Sequence, residues 1–253
     1  MEAKSKKQAE LRFYEELNDF LPPAKKKCSF IYYFNGNPSV KDAIESNNVP
    51  HIEVDLIVVN GKPVTFDYLL QEGDRVAVYP VFESFDISET NPSNNQPLRD
   101  IKFVNDVHLG KLTRLLRMTG FNTLYRNNLE DDEIIRIALE QQRIILTRDL
   151  GILKNKRVQK GYFIRSQQPK EQLREVILRF QLQNSIKFLE RCITCNGTIE
   201  ETDKSLIETY LKPGTQKYFD EFFRCKDCGK IYWEGSHFSK MKKFYQELKN
   251  EFE

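Results

Sequence analysis

No stretch of this 253-residue chain approaches the 18 or so apolar residues that a membrane span requires. The amino-terminal segment MEAKSKKQAELRFYEEL starts basic but has no apolar run behind it, so it lacks the form of a secretory signal. The cytoplasm is therefore the expected compartment, and no membrane partner is expected. Cysteine is scarce as well, with five in the chain. That argues against a disulfide framework. Net charge is nearly absent at +2. Divided along the chain, it is not uniform. Residues 1–98 carry 10 Lys and Arg against 15 Asp and Glu, residues 99–191 carry 19 against 11, and residues 192–253 carry 10 against 11. The middle third is thus the basic part, which suits a polyanionic partner. What is present in quantity is apolar: 40% hydrophobic residues and 12% aromatics support packed cores in two compact domains or one large one.

The polar stretch DISETNPSNNQPLRD, residues 86–100, reads as a linker. Before it, residues 1–85 have the pattern of a small α+β module. Apolar runs at Glu10–Tyr14 and Cys28–Phe34 read as strands, with Cys28 expected as a small core residue. Pro38-Ser39 opens a short helix with Val40, Ala43 and Ile44 on one face. The strand Asp55–Val59 ends in an Asn60-Gly61 hairpin turn, and a last strand spans Arg75–Val81. This order resembles the β-grasp fold, and VNGKPV with LQEGDRVAVYPVF is similar to the ubiquitin-like sulfur carriers. Those carriers need a free Gly-Gly carboxylate, whereas here the strand runs on into Val81-Phe82-Glu83. The module therefore reads as one that binds a protein partner or scaffolds, separable from whatever follows the linker.

Residues 101–190 alternate strands and helices. Strands are expected at Ile101–Asn105, Phe121–Tyr125, Ile144–Leu146 and Gly161–Ile164. Helices are expected over Leu109–Leu116, ending at Gly120, over Asp131–Gln142, and from Pro169 to about Glu190. Such alternation implies an α/β domain with a parallel sheet covered on both faces. Asp106 and Asp149 each follow an apolar strand, at the carboxyl ends where open α/β sheets gather their ligands. A carboxylate leaving a buried strand is poorly solvated unless it meets a cation. Converging acids there would hold Mg²⁺ or Mn²⁺. Asp131, Asp132 and Glu133 lie in a first helical turn, where acids also serve the helix dipole, and Asp149 has a second use as a cap for Leu150-Gly151. Lys111, Arg114 and Arg117 recur every three residues opposite a leucine face, and Arg148 adjoins Asp149; all four are candidate phosphate contacts.

Cys192-x-x-Cys195 and Cys225-x-x-Cys228, separated by 29 residues, supply four thiolates from two tight turns, the ligand set of a closed structural Zn²⁺ site. Gly229 suits the second turn, and Asn196-Gly197 fills the same role in the first. Residues Ser205–Lys212 are expected to form a hairpin or helix inserted between them. Tyr232 is expected to pack over this ribbon, and an amphipathic helix carrying Phe238, Met241, Tyr245, Leu248 and Phe252 closes the chain.

The string FVNDVHLGKLTRLLRMTGFNTLY, then DDEIIRIALEQQRIILTRD and the four-cysteine tail, resembles the Mut-seven C-terminal RNase family, a branch of the PIN-like ribonucleases, over roughly residues 101–235. An amino-terminal ubiquitin-like domain is a companion of that family. The resemblance implies a PIN-like nuclease domain over 101–190 and a zinc ribbon with terminal helix over 191–253. It further implies metal-dependent cleavage of RNA, with metal-binding acids Asp106, Asp131 and Asp149; Asp132 or Glu133 are alternatives to Asp131. A rival reading of the same residues is a non-catalytic RNA- or ribosome-binding adaptor.

Overall fold

The structure is a computed structural model that describes residues 6–80 and 101–252. The expected linker, residues 86–100, lies outside the described residues. Two compact units are present. One holds residues 6–80 together with Asp149–Phe163; the other holds residues 101–148 together with 164–252.

In the first unit, β1 (Lys7–Phe13) alternates and buries Ala9, Leu11 and Phe13. It pairs antiparallel with β2 (Phe30–Phe34). After α1 (Val40–Ser46) come β3 (Val54–Val59), β4 (Lys62–Val64) and β5 (Arg75–Pro80). The sheet order is β2-β1-β5-β3-β4, with β1 and β5 parallel and the other pairs antiparallel. Ser39 and Asp42 close a reciprocal capping box on α1, which buries Val40, Ala43 and Ile44 against the sheet. Asn60 and Gly61 both take positive φ, 51° and 80°, as a two-residue hairpin with right-handed twist requires. This is the β-grasp arrangement the sequence suggested. Cys28 departs from expectation and is exposed. It follows Lys27, whose φ of 57° marks a turn, and the strand begins only at Phe30.

The second unit is built on three parallel strands, β6 (Lys102–Asn105), β7 (Asn122–Leu124) and β8 (Ile144–Thr147), with β6 between the other two. Helices α2 (Gly110–Met118) and α3 (Asp131–Glu140) cross over between them. Phe103, Val104 and the whole of β8 are buried, as strands covered on both faces must be. Gly110, in the LGKL string, is dictated by packing: a Cβ there would lie 2.7 Å from the Tyr125 hydroxyl, which donates to the Val107 carbonyl.

The segment Asp149–Phe163 carries α4 (Leu150–Lys154) and β9 (Gly161–Phe163) and belongs to the first unit. Buried Glu53 accepts the Phe163 N–H at 2.7 Å, Lys154 Nζ reaches Asn48 at 2.9 Å, and Phe20 meets Phe163 edge-on at 5.4 Å. The first unit is therefore larger than the expected 1–85 module, because this excursion supplies apolar groups that its core receives.

Helix α5 (Pro169–Arg179) stops well short of Glu190. Gln181 takes φ of 52° and the Leu182 N–H returns to the Ile177 carbonyl, which turns Leu182 inward. An antiparallel sheet follows, ordered β10 (Ile199–Thr202), β11 (Phe222–Cys225), β12 (Ile231–Trp233). Between β10 and β11 lie two short 3₁₀ turns and α6 (Pro213–Tyr218), a longer insertion than Ser205–Lys212 alone. The terminal α7 (Ser236–Phe252) buries Phe238 and Leu248, as its periodicity required.

Candidate metal centre and acidic strand ends

Each cysteine pair sits on a tight turn of the same design. The N–H four residues past the first cysteine donates back to that cysteine's carbonyl, Asn196 to Cys192 at 2.8 Å and Gly229 to Cys225 at 3.0 Å. Both donors lie in the left-handed region, with φ of 74° and 70°, so asparagine and glycine are the residues the turns need. The two turns bring the four Sγ atoms within 4.8 Å of one another. Cys192 and Cys228 are 3.6 Å apart and Cys195 and Cys225 3.4 Å. Four thiolates about 2.3 Å from a tetrahedral zinc would be separated by about 3.8 Å, so the residues fit a tetrathiolate site. Tyr232 is buried over the ribbon as expected; its hydroxyl accepts the Ile193 N–H and lies 3.2 Å from Cys192 Sγ.

Burial pushes the Cys192 thiol up, but hydrogen bonds from the Tyr232 hydroxyl and from backbone N–H groups outweigh it and bring the group to about 6. Burial, reinforced by the neighbouring cysteines, pushes Cys195 up to about 12. One thiolate is thus favoured while burial works against charge on Cys195 and Cys228, a conflict that a divalent cation removes.

The first turn is fastened to the parallel sheet. Asn196 accepts the Thr123 N–H at 2.8 Å and donates to the Asn122 side chain at 2.8 Å. Arg117 donates from Nε to the Thr123 carbonyl at 2.9 Å and from Nη1 to the carbonyls of Ile193 and Thr194 at 3.2 and 2.8 Å. This corrects the expectation that Arg117 shares an open basic face with Lys111 and Arg114. Those two are exposed, but at about 100° per residue a spacing of three turns back by about 60° each time, so Arg117 lies about 120° from Lys111, on the covered side. Burial lowers the guanidinium's pKa, and the charge of Cys195 and Cys192 opposes that lowering. Arg148 is also committed to structure, half-buried and donating to the carbonyls of Ile164, Arg165 and Ser166 at 2.6–3.0 Å.

Asp106 extends the ladder past β6, its N–H donating to the Leu146 carbonyl. Asp106 is 3% exposed, and its carboxylate accepts the Thr147 hydroxyl at 2.7 Å and the His108 N–H at 3.2 Å. Both donors are neutral, and no cation pairs with it among the described residues. Beside it, Asn105 Oδ1 is a buried acceptor without a hydrogen bond. Asp131 and Asp132 are exposed in the first turn of α3, and Glu133 faces Arg126 and Arg136 at 3.4 and 3.9 Å. Asp149, two residues past β8, is exposed and caps α4, its Oδ1 accepting the Gly151 N–H at 2.6 Å. Among the described residues, the four cysteines are the group of three or more ligating side chains gathered closely enough to hold a metal. Sequence reasoning did not single out Thr147 or the Asn122–Asn196 lock, since threonine and asparagine at these places carry no spacing signal.

Residues 101–245 match the family described as the Mut7-C RNAse domain, and residues 6–86 match that described as Mut7-C ubiquitin. Two crystal structures of small archaeal modifier protein 1 from Haloferax volcanii are 16% identical to this chain. They cover 30% and 31% of it and 99% of their own length at a TM-score of 0.25, too low for the likeness to carry an argument. No curated protein matches the chain.

Proposed function

The chain belongs to the Mut7-C RNase domain family, and from that premise we propose that it is a metal-dependent ribonuclease with a PIN-like acidic site and a structural zinc ribbon. Asp106, Asp149 and one of Asp131, Asp132 or Glu133 are the acids assigned to Mg²⁺ or Mn²⁺. The observation that carries this reading is the Asp106 carboxylate. Asp106 is 3% exposed at the carboxyl end of a central parallel strand, with neutral donors for its hydrogen bonds. A buried anion in that state is unfavourable by itself and suits a hard cation. The Thr147 hydroxyl fixes one oxygen, which orients the other side of the carboxylate. A bound divalent ion supplies an activated water and neutralises charge on a scissile phosphate. Lys111 and Arg114, exposed on α2, supply phosphate contacts without sequence reading. Arg148 acts on the backbone, holding the end of β8 to residues 164–166. The ubiquitin-like unit is assigned a protein partner.

The test is cleavage of mixed RNA and DNA substrates with Mn²⁺ and with EDTA. Asp106→Asn and Asp149→Asn, which remove charge but little volume, are expected to abolish RNA cleavage. Because asparagine is also a good N-cap, Asp149→Asn should leave the fold intact. Equal turnover by wild type and both variants would instead favour an adaptor that binds RNA or ribosomes without cutting.

A further inference from the structure

The second unit contains a buried cation to which, among the described residues, no carboxylate supplies a countercharge. Arg117 is 4% exposed, and its three hydrogen bonds go to the neutral carbonyls of Thr123, Ile193 and Thr194. Among the described residues no carboxylate pairs with it. A guanidinium cannot shed its proton to suit a dry site, and carbonyl dipoles alone leave a full charge poorly solvated. Two of its three acceptors, however, are the carbonyls of the residues between Cys192 and Cys195. Four thiolates around one divalent cation carry a net charge of about −2. A lone buried cation and an excess of negative charge thus meet across a single tight turn.

The side-chain type fits that duty. Nε points to β7 while Nη1 points to the turn, so one planar fork spans both. A lysine ammonium would keep the charge but not this fixed two-way reach. Asn196, next to Cys195, makes the second tie, to Thr123 and Asn122 of the same strand.

We propose that Arg117 is the counter-cation and positioning residue of the four-cysteine centre, so that metal loading and ordering of the β7 edge are one equilibrium. This rests on the tetrathiolate reading of the four cysteines. Thr123 is paired in register with Phe103 of β6, the strand that Asp106 directly follows, so metal state at the ribbon reaches the sheet that presents that acid.

The experiment uses the full chain. Zinc content is measured first, then zinc affinity by chelator competition for wild type, Arg117→Gln, Arg117→Lys and, as a control for loss of a surface charge, Arg136→Gln. Outer-shell substitutions of this kind weaken metal binding by about ten- to a hundredfold. That loss is expected for Arg117→Gln, a smaller one for Arg117→Lys, and none for Arg136→Gln. Amide exchange at Thr123 in wild type should rise when zinc is withdrawn, a readout that needs no variant to fold. Unchanged zinc affinity in Arg117→Gln, or Thr123 exchange indifferent to zinc, overturns the proposal. Wild type that holds no zinc overturns the tetrathiolate reading itself.

Discussion

Arg117 and Asp106 carry opposite charges and both are at most 4% exposed; among the described residues no carboxylate pairs with Arg117 and no cationic side chain with Asp106. They differ in what surrounds them. Beside the turn that Arg117 holds, the complementary ligand set is gathered: four sulfur atoms within 4.8 Å of one another, held by two turns of the same backbone design. Around Asp106 the chain offers a hydroxyl and an amide, while the other acids assigned to the same task stand exposed. The cysteine centre also lies within one unit, whereas Asp149 belongs to a segment grouped with the other. A structural centre is built to be filled during folding, and its ligands are held close by backbone turns. On the proposed reading, an acidic centre that must admit a substrate would be left more open, with its ligands on strand ends and helix starts.

The largest effect should come from breaking the cysteine centre. Cys225→Ser is expected to remove about one zinc per chain and to unfold the ribbon, because structural zinc supplies folding free energy where the local core is small. Elemental analysis and chemical-shift dispersion of β10–β12 check this. Undiminished zinc, or iron in its place, would count against the assignment.

A middle effect separates the two regions directly. Deleting residues before Leu98 removes the groups that receive the Asp149–Phe163 segment, namely Glu53, Asn48 and Phe20. The truncated chain is expected to keep its zinc while amide protection across 149–163 collapses. Retained protection at the Phe163 amide would mean that the first unit is dispensable for that segment. This replaces the simpler expectation of a detachable module.

The smallest effect concerns the two exposed cations of α2. Lys111→Ala and Arg114→Ala should each weaken RNA binding at low salt and reduce the slope of log affinity against log salt by about one. Arg117→Ala should leave that slope unchanged, since its guanidinium is turned inward. Equal slopes for all three variants would return Arg117 to the substrate face.

Much of this arrangement was legible without coordinates. Spacing alone indicated two tight turns for Cys192–Cys195 and Cys225–Cys228, and apolar runs ending in Asp106 and Asp149 indicated strand ends. The Asn60-Gly61 hairpin and the Ser39–Asp42 cap are local matters, decided within a few residues by backbone sterics. Helix length was less legible: the pattern after Pro169 continues to Glu190, but a left-handed residue at Gln181 ends α5 early so that Leu182 can be buried.

The sequence by itself determined which residues could form strands, turns and a thiolate set, because those depend on periodicity and on short-range geometry. Tertiary structure alone decided where charge would go. Three basic residues spaced by three look alike in sequence, yet rotation about α2 sends Arg117 into the protein while Lys111 and Arg114 remain in water. Asp149 and Phe163 follow β8 in the chain, yet their segment packs with the unit formed by residues 6–80. Helical spacing separates Arg117 from Lys111 by about 120°, but which side of α2 is covered, and where the 149–163 segment packs, depends on which distant surfaces bury apolar groups together.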